Sequence, residues 1–315
     1  MNRPILSAPW AAALFCILAY CLSLAELFRR GLSGDAVAVL LIFGGLMSAL
    51  VWAATRSQIP AAPASDSPGL QLSAILLLTV LVALWLCFGI DFVNARLATA
   101  TWDPRLQVLL KLASKLVVFV AIPWALFRRR FGATAADFGL SWEHGRALIG
   151  PLGLKVLGLM AAMMAINLAI GSAAAPIRHG EISPLVLGVA LPFCLLWNCV
   201  EAGLVEEFFF RALLQTKLTD WSRSRTTGTL VMAVIFGLFH APGLVLRGAA
   251  SFEGMGASPT PILAVAYSVA IMGVAALPFG LLWARSRNLW MAILVHGACD
   301  TVAHLPTFIQ TWAHR

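Results

Sequence analysis

Val205-Glu206-Glu207-Phe208-Phe209-Phe210-Arg211 places two adjacent carboxylates and a guanidinium in a chain that is otherwise strongly apolar. On a helix Glu207 and Arg211 share a face, acid N-terminal to base, so the two charges can neutralise each other. Glu206 points about 100° away around the same helix and has no partner within its own turn. Its burial in a membrane span would cost roughly 2.5–3.5 kcal/mol even on the lenient insertion scale, so an ionisable group there reads as functional by default.

The surroundings establish that a membrane is the setting. Hydrophobic residues make up 60% of the chain and charged residues 11%, and the mean hydropathy is +0.88. An ordinary globular domain carries about 25% charged residues. A chain of this composition lacks the polar surface to cover a water-facing globule, and an all-α polytopic membrane protein is expected. Apolar runs near bilayer-crossing length lie at 9–27, 35–54, 70–93, 106–127, 147–171, 183–204, 226–247, 260–284 and 288–310, about nine spans. The first follows Arg3 without a convincing small-x-small cleavage site and reads as an uncleaved span. A Pro/Ala/Ser stretch from Ile59 to Gly69 is too polar to cross, and Asp91 belongs at an interface.

The net charge of +8 does not point to nucleic acid, because the basic residues lie mostly in short connections between spans. Arg128-Arg129-Arg130 is a stop signal for the cytoplasmic side. That choice puts the connections near 56, 217–225 and 285–287 inside as well, with the N-terminus. Arg29, Arg30, Arg96, Arg105, Arg178 and Arg247 fall on the other side, so the bias is small. Residues 136–142 are mildly amphipathic and suit an interface. Composition shifts there, and we place a boundary near residue 135 between an N-terminal accessory region of about four spans (1–135) and a core of about five (136–310). The six cysteines sit in apolar runs with no CxxC spacing and read as small buried hydrophobes.

Three later groups complete the pattern. Phe236-Gly237-Leu238-Phe239-His240 places an imidazole in one apolar run, and His296-Gly297-Ala298-Cys299-Asp300 places an imidazole and a carboxylate on one face of another. His304 follows a turn later and suits an interface. Glu201 suits the membrane boundary or a cavity mouth. Mutual contact is the obvious way to offset so many costly groups. Their chemistry points to hydrolysis: a carboxylate beside a neutral imidazole can deprotonate a water. A second imidazole can donate to a developing oxyanion. Asp300 can fix which nitrogen of His296 carries the proton. No serine or cysteine has a separate base to make it a nucleophile.

Taken together, Glu206-Glu207-x-x-x-Arg211, Phe236-x-x-x-His240 and His296-x-x-x-Asp300 resemble the CPBP family of intramembrane proteases, which includes CAAX prenyl endopeptidases and bacterial relatives linked to bacteriocin immunity and abortive infection. The likeness covers roughly residues 137 to 305, from Phe138-Gly139-Leu140 to the Leu289–His296 approach. It implies an intramembrane peptidase in which Glu206 and His240 activate water. His296 and Asp300 would then serve the oxyanion or support the site, and Glu207 and Arg211 would be structural or position substrate. The family often has Asn where Asp300 stands, and an ionised Asp cannot donate to an oxyanion, so here Asp300 is expected to orient His296. No metal is expected. If zinc were bound, Glu206, His240 and His296 would be its ligands, though no HExxH spacing is present. The expected partners are a membrane-delivered peptide or protein and the lipid bilayer. Short loops and Ala-rich spans suggest a bacterial inner membrane. The rival readings are a catalytically idle scaffold of the same family and a carrier lined by the same charges. The latter would show two related halves.

Overall fold

The structure, a computed structural model, describes residues 8–58, 67–90, 92, 93, 95, 103–248 and 258–312. Most of the Ile59–Gly69 linker, Asp91, Arg3 and Arg96 lie outside the described residues. Among the described residues the regular structure is helical throughout. Eight helices among the described residues are long and apolar enough to cross a membrane: α1 Trp10–Arg29, α2 Ser33–Thr55, α3 Pro68–Gly89, α4 Pro104–Phe131, α5 Pro151–Ile170, α6 Pro184–Ser222, α7 Arg225–Leu246 and α10 Leu289–Trp312. Between the last two, α8 Pro261–Gly273 and α9 Leu277–Ser286 pass together as one span bent by 43°. The chain is thus an all-α polytopic membrane protein, with eight or nine candidate crossings among the described residues.

Local chemistry sets the ends of these helices. Pro68, Pro104, Pro151, Pro184 and Pro261 each stand in a first turn, where the missing N–H has no helical partner to lose. Asp103, Ser183, Ser224 and Thr260 cap the helices that follow by accepting from backbone N–H groups. Gly132, at φ +67°, closes α4, its N–H donating to the Arg128 carbonyl and that of Ala133 to Phe127.

One boundary differs from expectation. The run ending at 204 continues through the acidic pair to Ser222, giving α6 39 residues. At 1.5 Å per residue that is about 58 Å, well beyond a hydrocarbon core of about 30 Å. The charges do not end the helix because they are paired inside protein. Turns with wider, i→i+5 hydrogen bonding occupy Cys199–Leu204 and Glu207–Gln215, on either side of Glu206. Such turns are uncommon and frequently mark functional positions.

The helices form two compact units that interleave in sequence: Met1–Asp91 with Leu213–Ser286, and Phe92–Ala212 with Arg287–Arg315. These are divisions of packing, whereas the boundary near residue 135 concerns role and belongs with the functional proposal. In the first unit α1 packs on α7 and α8 around Leu27, Ala36, Leu244, Ala264 and Ala270. A Cβ on Gly237 would lie 2.4 Å from the Ser268 carbonyl oxygen, so α7 and α8 meet through backbone. Arg285 donates to Thr55 Oγ1 at 2.9 Å, joining the ends of α2 and α9 at one membrane face, as the charge pattern of those connections implies.

In the second unit α10 packs against α5 and α6. Phe208, Phe209 and Phe210 are buried, Phe208 against Phe138 and Trp124 and the other two against Phe119. These rings are packing residues of the protein interior. Residues 135–140 form a turn, followed by a short helix, Trp142–Arg146. This segment seats the start of α10: Leu289 N–H donates to the Gly139 carbonyl, and Asn288 Nδ2 to that of His144.

Candidate active site

The site of the second unit rests on a close approach of α6 and α10. A Cβ added to Gly203 would sit 2.6 Å from the Ile293 carbonyl oxygen. One added to Gly297 would sit 2.6 Å from Cys199 Sγ and 2.8 Å from its backbone nitrogen. No other residue fits between the helices at these points. Glu206 lies one turn beyond Gly203, and His296 immediately precedes Gly297, so the contact sets the carboxylates of one helix against the imidazole of the other.

His296 is buried and ringed by three acids. Its Nδ1 is 2.7 Å from Glu207 Oε1, hydrogen-bond length. On the other side Nε2 faces Asp300 Oδ2 at 3.6 Å and Glu206 Oε2 at 3.8 Å. Behind Glu207, Arg211 Nε lies 3.4 Å from Oε2, and both side chains are fully buried. Glu206 and Asp300 are more accessible, with 25% and 28% of their side-chain surface exposed. The cluster therefore has a sealed side, Arg211–Glu207–Nδ1, and an accessible side, Nε2 with two carboxylates.

This arrangement alters two expectations. Glu207 and Arg211 do pair as their spacing implies, but Glu207 also holds the imidazole. It is Glu207, not Asp300, that takes Nδ1; an ionised carboxylate only accepts, so Nδ1 carries the proton. The i,i+4 spacing brings Asp300 to the opposite ring nitrogen, where it stands beside the same atom as Glu206. Glu206, without a partner in its own helix, faces one across the gap.

His240 belongs to the first unit, on α7, and is partly exposed. Its Nδ1 lies 2.9 Å from the Phe236 carbonyl, one turn back, and the Phe236 ring packs on the imidazole at 4.9 Å. A carbonyl cannot donate, so Nδ1 is again the protonated atom. In the neutral ring Nε2 then keeps its lone pair, the form a general base requires.

Two further pairs lie along the same helices. His304, one turn beyond Asp300, has Nδ1 2.8 Å from Asn198 Oδ1. Glu201, before the acidic pair on α6, is bound by Lys115 of α4. Lys115 escaped the sequence reading. Its signal was a pair of lysines, Lys111 and Lys115, in an apolar run, and matching one of them to Glu201 as the acid needing compensation would have found it. All six cysteines are free thiols, with Cys194 and Cys199 buried but Cys21 exposed.

Among the described residues no group of three or more His, Cys, Asp and Glu side chains has the geometry to hold a metal ion. The candidate zinc set of Glu206, His240 and His296 draws on both units. His296 offers it only Nε2, since Nδ1 is engaged by Glu207.

Comparison with known proteins adds one finding. Residues 188–302 match the family model of type II CAAX prenyl endopeptidases, Rce1-like. No curated protein and no solved structure matches the chain. The matched segment spans Glu206, Glu207, Arg211, His240, His296 and Asp300, and the family it points to is one of proteases. Over that segment, about a third of its length, the chain is similar to the type II CAAX prenyl endopeptidase, Rce1-like family.

Proposed function

We propose that the chain is an intramembrane endopeptidase of the glutamate type, hydrolysing a peptide bond of a substrate delivered within the membrane. The observation that carries this reading is the gathering of Glu206, Glu207, Arg211, His296 and Asp300 on two membrane-spanning helices, with its most accessible members on one side. A purely structural cluster has no reason to keep two carboxylates accessible beside one ring nitrogen.

In this reaction Glu206, with His240 as its partner base, takes a proton from water as the oxygen attacks the scissile carbonyl. The proton passes to the leaving amine. His296 presents Nε2 to the oxyanion, which requires the ring to carry protons on both nitrogens. Three carboxylates within 4 Å are suited to compensate that charge. Glu207 and Arg211 position His296 from the sealed side. Asp300 shares Nε2 with Glu206 and steadies the imidazolium. The reaction needs no metal, and residues 136–310 form its core. The protein works in a bacterial inner membrane with its N-terminus in the cytoplasm, and its substrate is a membrane peptide or protein that need not be prenylated.

The test is proteomic. Cells with wild-type protein are compared with cells carrying Glu206→Gln, in search of a membrane polypeptide that persists uncut in the variant. If the variant supports every cellular function of the wild type, the idle-scaffold reading replaces this one.

A further inference from the structure

Beside the catalytic cluster the second unit holds a cavity of about 320 Å³ between α4, α6 and α10. Its walls include Lys111 and Lys115 of α4, Trp197 and Glu201 of α6, and His304 and Trp312 of α10. Arg105 Nε donates to the Thr311 carbonyl at 3.2 Å, so the start of α4 and the end of α10 meet at one membrane face. From that end the cavity runs inward. Trp197, Trp312 and Phe308 form an aromatic wall, with ring centroids 5.6 Å and 6.2 Å apart. The inner end is polar. Lys115 is bound to Glu201, and His304 to Asn198, whose Nδ2 donates to the Cys194 carbonyl and so fixes Oδ1 as the acceptor.

The inner end adjoins the cluster around His296. His304 is one turn past Asp300, about 6 Å along α10, and Glu201 is five residues before Glu206, about 7.5 Å along α6. An extended peptide covers that span with about two residues at about 3.3 Å each. Two lysines against one glutamate leave the cavity with an excess of positive charge. A lipid tail would bring hydrocarbon against Lys115, Glu201 and His304, an unfavourable match. A peptide brings amides that can bond to all three.

We infer that this cavity is a subsite for the peptide substrate about two residues from the bond cut, and that Lys115 exchanges Glu201 for a substrate carboxylate, from either an acidic side chain or a chain terminus. Of the lining residues, Trp197 and Glu201 alone fall within the family-matched segment 188–302. The preference is therefore a property of this chain, and it gives α4 a role in selection. The inference rests on the proposed peptidase function, but its test does not require cleavage.

Purified full-length protein in nanodiscs of neutral phospholipid is titrated with apolar dansyl pentapeptides, followed by anisotropy. One probe carries an internal Glu and an amidated end, the second Gln in its place, and the third no acidic side chain but a free terminal carboxylate. The Lys115→Met/Glu201→Gln pair removes both charges together, so neither is stranded, and its thermal midpoint is checked against wild type. The expected result is that at least one acidic probe binds wild type about tenfold tighter than the Gln probe, with the advantage absent in the double variant. Whichever acidic probe gains identifies the source of the carboxylate. Equal binding of acidic and neutral probes by wild type, or an acid preference that survives in a folded double variant, overturns the inference. So does displacement of the acidic probe by phosphatidylglycerol that co-purifies with wild type but not with the double variant, which would make this a lipid site. Acid-selective binding without hydrolysis of any substrate would overturn the peptidase reading and leave a peptide-binding site.

Discussion

Glu207→Gln separates the two tasks that the structure gives this carboxylate. The substitution preserves shape and removes one negative charge from between Arg211 Nε, at 3.4 Å, and His296 Nδ1, at 2.7 Å. Arg211 is fully buried, so water cannot take over for the lost carboxylate. Removing one partner of a buried ion pair costs about 3–5 kcal/mol. The amide oxygen can still accept from Nδ1–H, which retains part of a charge-assisted bond valued at about 1.5–3 kcal/mol. We expect a stability loss of about 3–5 kcal/mol, read from unfolding of the purified protein in mixed micelles. Peptide hydrolysis should fall on the order of 100-fold, the scale of a displacement of about 1 Å at a catalytic group. The second variant, Glu207→Gln/Arg211→Met, removes the cation of the pair as well. Stability should return to within about 1–2 kcal/mol of wild type, because replacing both members of a buried pair is often neutral. Activity should stay low, because His296 still lacks its anionic partner. Recovery of both stability and activity in the double variant would show that Glu207 serves only Arg211. No loss of either in the single variant would refute the electrostatic argument altogether.

Other consequences can be checked with the same material. Glu206→Gln should abolish hydrolysis while shifting stability by less than about 1 kcal/mol, since this side chain is partly exposed and faces its imidazole at 3.8 Å; a large unfolding shift would mark it as structural. Asp300→Asn should retain measurable activity, since Glu207 rather than Asp300 holds Nδ1; a loss as complete as that of Glu206→Gln would refute the division of roles. Gly297→Val should destabilise the protein by about 1–3 kcal/mol or more and reduce activity, because its Cβ would lie 2.6 Å from Cys199 Sγ and force α6 from α10. Purified activity should survive a strong chelator, with no stoichiometric zinc on elemental analysis; loss on chelation and return with zinc would replace the metal-free reaction.

Much of this protein was legible without coordinates because its strongest determinants are local or compositional. Hydrocarbon thickness fixes the length of a crossing helix, so nine apolar runs translated directly into eight long helices and one bent pair among the described residues. The i,i+4 spacing announced the Glu207–Arg211 pair, and the cost of charge in a bilayer singled out Glu206 and His296. The length of α6 was not legible, because whether an acidic pair ends a helix depends on compensation supplied from elsewhere. Nor was the tautomer of His296: Asp300 is near in sequence, but Glu207 takes Nδ1 from 89 residues away. Spacing along one helix cannot reveal a partner on another. That was decided by Gly203 and Gly297, whose missing side chains let two backbones touch, and by Lys115, whose pairing with Glu201 exists only once α4 and α6 have packed.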